Sequence, residues 1–115
     1  MERVFVYGSL KKGCWAHHIL EDSEFVGEAQ IPGLLFAGSS FPMAFPLPEG
    51  YDGSIKGEVY KVDEDTLKRL DCFEGHPHMY ERTSITLASD NEAYIYYYKG
   101  STEALKLLPE GVWNG

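Results

Sequence analysis

The chain has 115 residues, of which 43% are hydrophobic and 24% are charged, and its formal net charge at pH 7 is −8. This length allows one domain with a real core but not two, so we expect a single domain over residues 1–115. The negative charge repels nucleic-acid phosphates and anionic lipid. No apolar run reaches membrane length and the N-terminus does not resemble a secretory signal, so we expect a cytoplasmic protein without nucleic-acid or membrane partners.

The first strand and the loop after it form the N-terminal candidate site. Residues 4–7 are β-branched and aromatic, which favours a strand, and Gly8 and Ser9 then end it. A loop of small residues can bring several backbone N–H groups close to an anion or a developing oxyanion, because Gly8 has no side chain to block the approach. The same residues also fit an ordinary turn, so the rest of the chain must decide between the two interpretations.

The other elements follow from hydrophobic periodicity and from the positions of glycine and proline. A short helix is expected over 14–21, a second over 66–73 and a helical turn within 102–108. Strands are expected over four further segments, which are 24–38 (two short strands and a bend), 55–62, 80–87 and 92–99. The proline-rich residues 39–52 are interpreted as a long surface loop, whose apolar side chains can enter the core or line a pocket; these are Phe41, Met43, Phe45 and Leu47.

Strands outnumber helices, and one helix lies between two strands, so the predicted class is α+β. The expected architecture is a small, mixed, mostly antiparallel β-barrel flanked by short helices.

Glu74 is a carboxylate in an unexpected position. Leu67, Leu70 and Glu74 follow one another at steps of three and four residues, a spacing that places side chains on one face of a helix. A carboxylate on an apolar face is normally paired, protonated or functional, and partial burial raises its pKa toward the range of a general acid/base. Alternatively, Gly75 ends the helix earlier and Glu74 reaches solvent or pairs with Arg82 or Lys68.

These features, in their order and spacing, resemble the γ-glutamylcyclotransferase-like superfamily. The motifs that carry the resemblance are Tyr7-Gly8-Ser9-Leu10, Leu70-Asp71-Cys72-Phe73-Glu74-Gly75, Pro77 and Tyr80-Glu81-Arg82. Residues 5–13 and 71–83 most resemble γ-glutamylamine cyclotransferase and its small bacterial and archaeal relatives. The similarity covers nearly the whole chain, including residues 57–60 and Trp113.

The resemblance implies a compact barrel with a cavity at one side. It also implies that the loop matching Tyr7 to Leu10, which contains Gly8 and Ser9, binds the glutamyl part of the substrate through main-chain groups. The glutamate that matches Glu74 is the proton acceptor in that family.

The expected reaction releases 5-oxoproline and a free amine from a γ-glutamyl amine or γ-glutamyl amino acid, with Glu74 as general acid/base and no cofactor. Tyr7 and Tyr80 are candidates to line the substrate pocket, although each could instead fill the core. Arg82 could neutralise a carboxylate or point outward from a strand.

Two alternatives remain at this stage. Cys72, His76 and His78, and likewise Cys14, His17 and His18, could in principle bind a metal, but neither spacing matches a standard zinc site, and we expect none. The two cysteines are expected to be reduced. The second alternative is a non-enzymatic module that binds a small ligand on the same fold, which a filled pocket or an exposed Glu74 would favour.

Overall fold

The computed structural model describes residues 1–38 and 40–114. It contains eight strands, which are β1 (Glu2–Val6), β2 (Glu24–Pro32), β3 (Leu34–Ala37), β4 (Pro42–Phe45), β5 (Ser54–Val62), β6 (Tyr80–Thr86), β7 (Glu92–Tyr98) and β8 (Lys106–Leu107). One α-helix, α1, spans Glu64–Glu74, and a 3-10 helix spans His17–Leu20. The predicted α+β class is confirmed. No helix in this described part is both long and apolar enough to span a membrane.

The strands form two sheets. The larger has the order β2-β5-β1-β7-β6, and the smaller has the order β4-β3-β8. β1 lies at the centre of the larger sheet, antiparallel to β5 and parallel to β7, so this sheet is mixed but mostly antiparallel. Within the described residues, the expected barrel is therefore built from two hydrogen-bonded sheets and not from one closed ladder.

Side chains alternate between the two faces of the larger sheet, and each face is covered by another layer of the structure. One cluster of buried side chains joins the sheet to α1 and the 3-10 helix, and includes Val4, Val6, Leu20, Leu67 and Leu70. A second cluster joins the sheet to the smaller sheet, and includes Phe5, Val59, Ile95, Leu35 and Ala44. The carboxyl end of β1 is thus enclosed between the two layers.

Helix α1 begins two residues before and ends one residue after the predicted span 66–73. The Asp63 side chain accepts a hydrogen bond from the backbone N–H of Thr66 at 2.8 Å and caps the N-terminus. Gly75 ends the helix with φ of 68°, a left-handed conformation that glycine adopts without steric cost. The helix is longer than predicted and includes Glu74 in its last turn.

Three predicted elements differ from the structure. The segment 14–21 contains only the short 3-10 helix, preceded by turns. The segment 102–108 begins with a turn, as the Leu105 N–H to Thr102 carbonyl bond shows, but continues as β8 paired with β3. Within 39–52, residues 42–45 form β4 and pair with β3, and Met43 and Ala44 are buried in the core. The surface-loop prediction is wrong for that part, and Ser39 lies outside the described residues.

Candidate active site

A cavity of about 220 Å³ lies at the carboxyl end of β1. The end of β1, the loop after it, the last turn of α1 and the first residues of β4 and β6 all contribute to its wall. The cavity is lined by all the residues that the sequence analysis predicted for the site, which are Tyr7, Gly8, Ser9, Leu10, Glu74 and Tyr80. The structure therefore brings the N-terminal loop and the helix-borne carboxylate to one place, although they are far apart in sequence.

The loop after β1 is held mainly through its carbonyl groups. The Gly8 carbonyl accepts from the Lys11 N–H at 3.0 Å, and the Ser9 carbonyl accepts from the Ala16 N–H at 3.0 Å. The Leu10 carbonyl lies 2.9 Å from Nδ1 of His17, close enough for a hydrogen bond in which the ring nitrogen donates. Each carbonyl of this segment thus has a partner within the chain.

The N–H groups of the same residues are used differently. Among residues 1–38 and 40–114, no hydrogen bond uses the N–H of Gly8, Ser9 or Leu10. These three residues are buried, and buried backbone donors are normally paired with protein, water or ligand. Because Gly8, Ser9 and Leu10 line the cavity, their N–H groups are candidate donors to an anionic or carbonyl oxygen there.

Glu74 lies in the last turn of α1 and lines the cavity. The side chain is partly buried, and we find no hydrogen bond or ion pair to it from any residue that the structure describes. Burial alone raises the pKa of the Glu74 carboxyl from its ordinary value to about 7. A carboxyl group with that pKa can both accept and donate a proton near neutral pH.

Arg82 does not pair with Glu74. Its Nη1 donates to Oδ2 of Asp71 at 2.9 Å, and the hydroxyl of Tyr96 donates to the other carboxylate oxygen of Asp71 at 2.6 Å. The Arg82 backbone N–H donates to Nδ1 of His76 at 2.9 Å, and the backbone N–H of His76 donates to the Asp71 carbonyl, also at 2.9 Å. These bonds tie the end of α1 to β6 and β7 and neutralise Asp71, one turn before Glu74.

The hydroxyl groups of the two predicted tyrosines bind backbone carbonyls. Tyr7 donates to the carbonyl of Tyr96 at 2.6 Å, and Tyr80 donates to the carbonyl of Pro42 at 2.9 Å. Burial is the largest cause that raises the pKa of each phenol above its usual range, so both remain protonated donors at neutral pH. Their rings form part of the cavity wall, and their hydroxyls fix that wall to β4 and β7.

The mouth of the cavity is apolar. Trp15, Phe41 and Met79 line the cavity and are 70%, 41% and 52% exposed. The ring centroid of Trp15 lies 5.6 Å from that of Phe73, another lining residue. Among the described residues that line the cavity, Glu74 is the one whose side chain can carry a charge near neutral pH, and none is a lysine, arginine or histidine. Phe41 forms part of the wall without filling the space.

None of the cysteines and histidines of the two candidate metal clusters lines the cavity. Nδ1 of His76 accepts from Arg82, and Nδ1 of His17 and of His18 lies beside a backbone carbonyl. Within the described residues, no group of three histidine, cysteine, aspartate or glutamate side chains is arranged to hold a metal ion. Cys14 and Cys72 are both free thiols.

Sequence reasoning missed several residues of the cavity and its support. These are Trp15, Pro42, Phe73, Met79 and Tyr96 in the lining, and Asp71 behind it. Trp15 and Met79 are large apolar residues in segments that are otherwise polar, which is the only signal that the sequence offers for them.

The chain matches a protein-family model over residues 4–115, and the family is described as gamma-glutamyl cyclotransferase, AIG2-like. The protein MJ1514 of Methanocaldococcus jannaschii is 42% identical over 106 residues, which cover 88% of both chains. The gamma-glutamylaminecyclotransferase C of Danio rerio is also 42% identical, over 93 residues that cover 73% of this chain. That match covers only 60% of the Danio rerio protein.

The fold is also similar to solved structures. The crystal structure of an AIG2-like protein from Mus musculus superposes with a TM-score of 0.82 at 30% sequence identity. The superposition covers 99% of this chain and 88% of the mouse chain. The likeness therefore includes both sheets, helix α1 and the loop that line the cavity.

Proposed function

We propose, on the premise that this chain belongs to the AIG2-like gamma-glutamyl cyclotransferase family, that it cyclises the γ-glutamyl group of a small substrate. The products are 5-oxoproline and the free amine that the γ-glutamyl group carried. The observation that carries this proposal is the position of Glu74, a partly buried carboxyl without a hydrogen-bond partner among the described residues, on the same cavity as Gly8, Ser9 and Leu10 of the loop.

In the proposed reaction the substrate supplies its own nucleophile. Its α-amino nitrogen attacks the γ-carbonyl carbon, a C–N bond forms to close the five-membered lactam, and the original γ-amide C–N bond breaks. Glu74 accepts a proton from the α-ammonium group, which frees the nitrogen lone pair, and donates it to the departing amine nitrogen. After the attack, the new ring nitrogen gives up a second proton, which Glu74 also passes to the amine, so that the amine leaves as an ammonium ion. A single carboxyl group with a pKa of about 7 suits both transfers.

The loop is the proposed binding site for the glutamyl group. The N–H groups of Gly8, Ser9 and Leu10 would donate to the α-carboxylate or to the oxyanion that forms at the γ-carbon. Fixed donors stabilise such charge more than water does, because they need little reorganisation. Tyr7 and Tyr80 would pack against the aliphatic part of the substrate with their rings.

The composition of the cavity supports a γ-glutamyl amine over a γ-glutamyl amino acid. An amino acid linked through its α-amino group carries its carboxylate next to the scissile nitrogen, and none of the described residues that line the cavity has a basic side chain to pair with it. The overall charge of −8 also disfavours an anionic leaving group. The apolar side chains Trp15, Phe41 and Met79 suit an aliphatic or aromatic amine. The name of the Danio rerio relative, gamma-glutamylaminecyclotransferase C, agrees with this preference.

The test is to incubate the purified protein with ε-(γ-glutamyl)lysine, a γ-glutamyl amino acid and glutathione, and to quantify 5-oxoproline by mass spectrometry. We expect product from ε-(γ-glutamyl)lysine, whose leaving amine is attached to an aliphatic chain that keeps the carboxylate far from the scissile amide. We expect lower kcat/KM for the γ-glutamyl amino acid, whose carboxylate is next to the scissile amide, and for glutathione, whose leaving group is a dipeptide with a terminal carboxylate. Absence of product from all three, combined with binding of a glutamyl ligand, would favour the non-enzymatic binding module instead.

A further inference from the structure

The far end of the loop is held by an acidic side chain of the neighbouring strand. Glu58 lies in β5, where its Cα pairs with that of Val6, the last residue of β1. Its Oε1 accepts the backbone N–H of Lys12 at 2.9 Å. One carboxylate thus connects the sheet to the loop, four residues beyond Gly8.

The Glu58 carboxylate is itself held in place by a tyrosine of the same strand. The hydroxyl of Tyr60 donates to the same oxygen, Oε1 of Glu58, at 2.9 Å. Tyr60 is 2% exposed and packs in the core cluster, so its hydroxyl has little freedom. The hydrogen bond from the Tyr60 hydroxyl therefore fixes the orientation of the Glu58 carboxylate that accepts the Lys12 N–H.

Glu58 does not belong to the cavity. It lines a separate surface groove, together with Lys11 and Lys56, and is absent from the lining that contains Glu74. Its effect on a bound molecule must therefore pass through the loop. The other bonds to Gly8, Ser9 and Leu10 come from residues 11–17, which are part of the same segment.

We propose that Glu58 is a positioning residue that holds the loop so that the N–H groups of Gly8, Ser9 and Leu10 face the substrate; this rests on the proposed function. Without the carboxylate, the Lys12 N–H bonds to water, and the loop loses its hydrogen bond to the sheet; the contact of Lys12 Nζ with the Phe25 ring, 4.6 Å from its centroid, remains. Donors that must be reorganised for each substrate contribute less to binding and catalysis than donors that are already in place.

The test compares Glu58→Ala with Glu58→Gln. The glutamine keeps a side-chain oxygen that can accept from Lys12 and Tyr60, whereas alanine removes it. We expect kcat/KM to fall about tenfold or more in Glu58→Ala and to stay within about threefold of the wild type in Glu58→Gln. Glu28→Ala removes an exposed carboxylate of β2 from the same groove and is the matched control, with kcat/KM expected within about threefold.

Amide hydrogen exchange gives a second measurement that does not depend on turnover. In Glu58→Ala, we expect faster exchange at the hydrogen-bonded amides of Lys11, Lys12 and Ala16, which hold the loop, with unchanged protection in the β1–β5 ladder. Tyr60→Phe, which keeps the aromatic ring, is expected to have a smaller effect in the same direction.

The proposal is overturned if Glu58→Ala retains both wild-type kcat/KM and wild-type exchange in the loop. It is also overturned if kcat/KM falls as much in Glu58→Gln as in Glu58→Ala, because the negative charge of Glu58, and not its hydrogen bond, would then be what matters. If the wild type releases no 5-oxoproline, the proposed function fails. Exchange then still decides whether Glu58 orders the loop.

Discussion

The ring of Pro42 occupies the space into which a side chain on Gly8 would have to point. A Cβ atom at Gly8 would lie 2.6 Å from Cγ and 3.1 Å from Cδ of Pro42. The first residue of β4 thus packs directly against the loop after β1, and both residues line the cavity. The carbonyl of the same proline accepts the hydroxyl of Tyr80, so a shift of Pro42 would move two walls of the site.

Gly8→Ala is therefore expected to lower kcat/KM by about tenfold or more while the protein remains folded. Combining it with Pro42→Ala removes the atoms that collide, and should recover part of the lost activity. Both variants are compared with the Pro42→Ala single variant by steady-state kinetics and circular dichroism. If the double variant is no better than Gly8→Ala, the contact with Pro42 is not the reason for the loss.

The pair formed by Arg82 and Asp71 is expected to stabilise the end of α1. The side chains are only 24% and 23% exposed, and Arg82→Met would leave a partly buried carboxylate without its cationic partner. We expect Arg82→Met to lower the free energy of unfolding by about 1–3 kcal/mol. Urea denaturation measures this, with Arg69→Met, at an exposed position of α1, as the control. Equal effects of the two substitutions would contradict the assigned role of the pair.

The pH dependence of turnover should report the ionisation of Glu74. A general base must be deprotonated in the free enzyme, so kcat/KM is expected to rise with pH and to level off above about 7. This rise of kcat/KM with pH should be measured with a substrate whose own groups do not titrate over the same pH range. A limb centred near pH 4 would mean that burial does not shift the Glu74 carboxyl as described.

Burial of the Glu74 carboxyl also means that its charged form lowers the stability of the folded protein. Because its folded-state pKa is raised, the folded protein binds the proton more tightly than the unfolded chain, and stability falls as pH rises from about 4.3 to about 7. Glu74→Gln should therefore be more stable than the wild type by about 1–3 kcal/mol at pH 8, and equally stable at pH 4. Denaturation at both pH values measures this, with Glu81→Gln, at an exposed position, as the control. Equal stabilities at pH 8 would contradict it.

The sequence was most informative where a single element carries the signal. The steps from Leu67 through Leu70 to Glu74 predicted the helix and its apolar face, on which Leu67 and Leu70 are buried. The strands of the larger sheet were also predicted, because alternation and β-branched residues identify each one locally.

The parts that could not be predicted depend on contacts between distant segments. β4 forms in a proline-rich segment because Leu34–Ala37 offers it a partner strand, and this pairing overrides the local preference for a loop. The bonds of Asp71 to Arg82 and Tyr96 likewise join a helix to two strands, and no spacing in the sequence indicates them. The mouth of the cavity combines Trp15, Phe41 and Met79 from three separate segments for the same reason.

The central claim is that Glu74 transfers protons during the release of 5-oxoproline. The most direct test is to measure 5-oxoproline formation from ε-(γ-glutamyl)lysine by the wild type, by Glu74→Gln and by the Glu81→Gln control. The account predicts that Glu74→Gln loses at least about a hundredfold in turnover, while Glu81→Gln and the wild type are alike and all three proteins are folded. Near-normal turnover by Glu74→Gln would contradict the account.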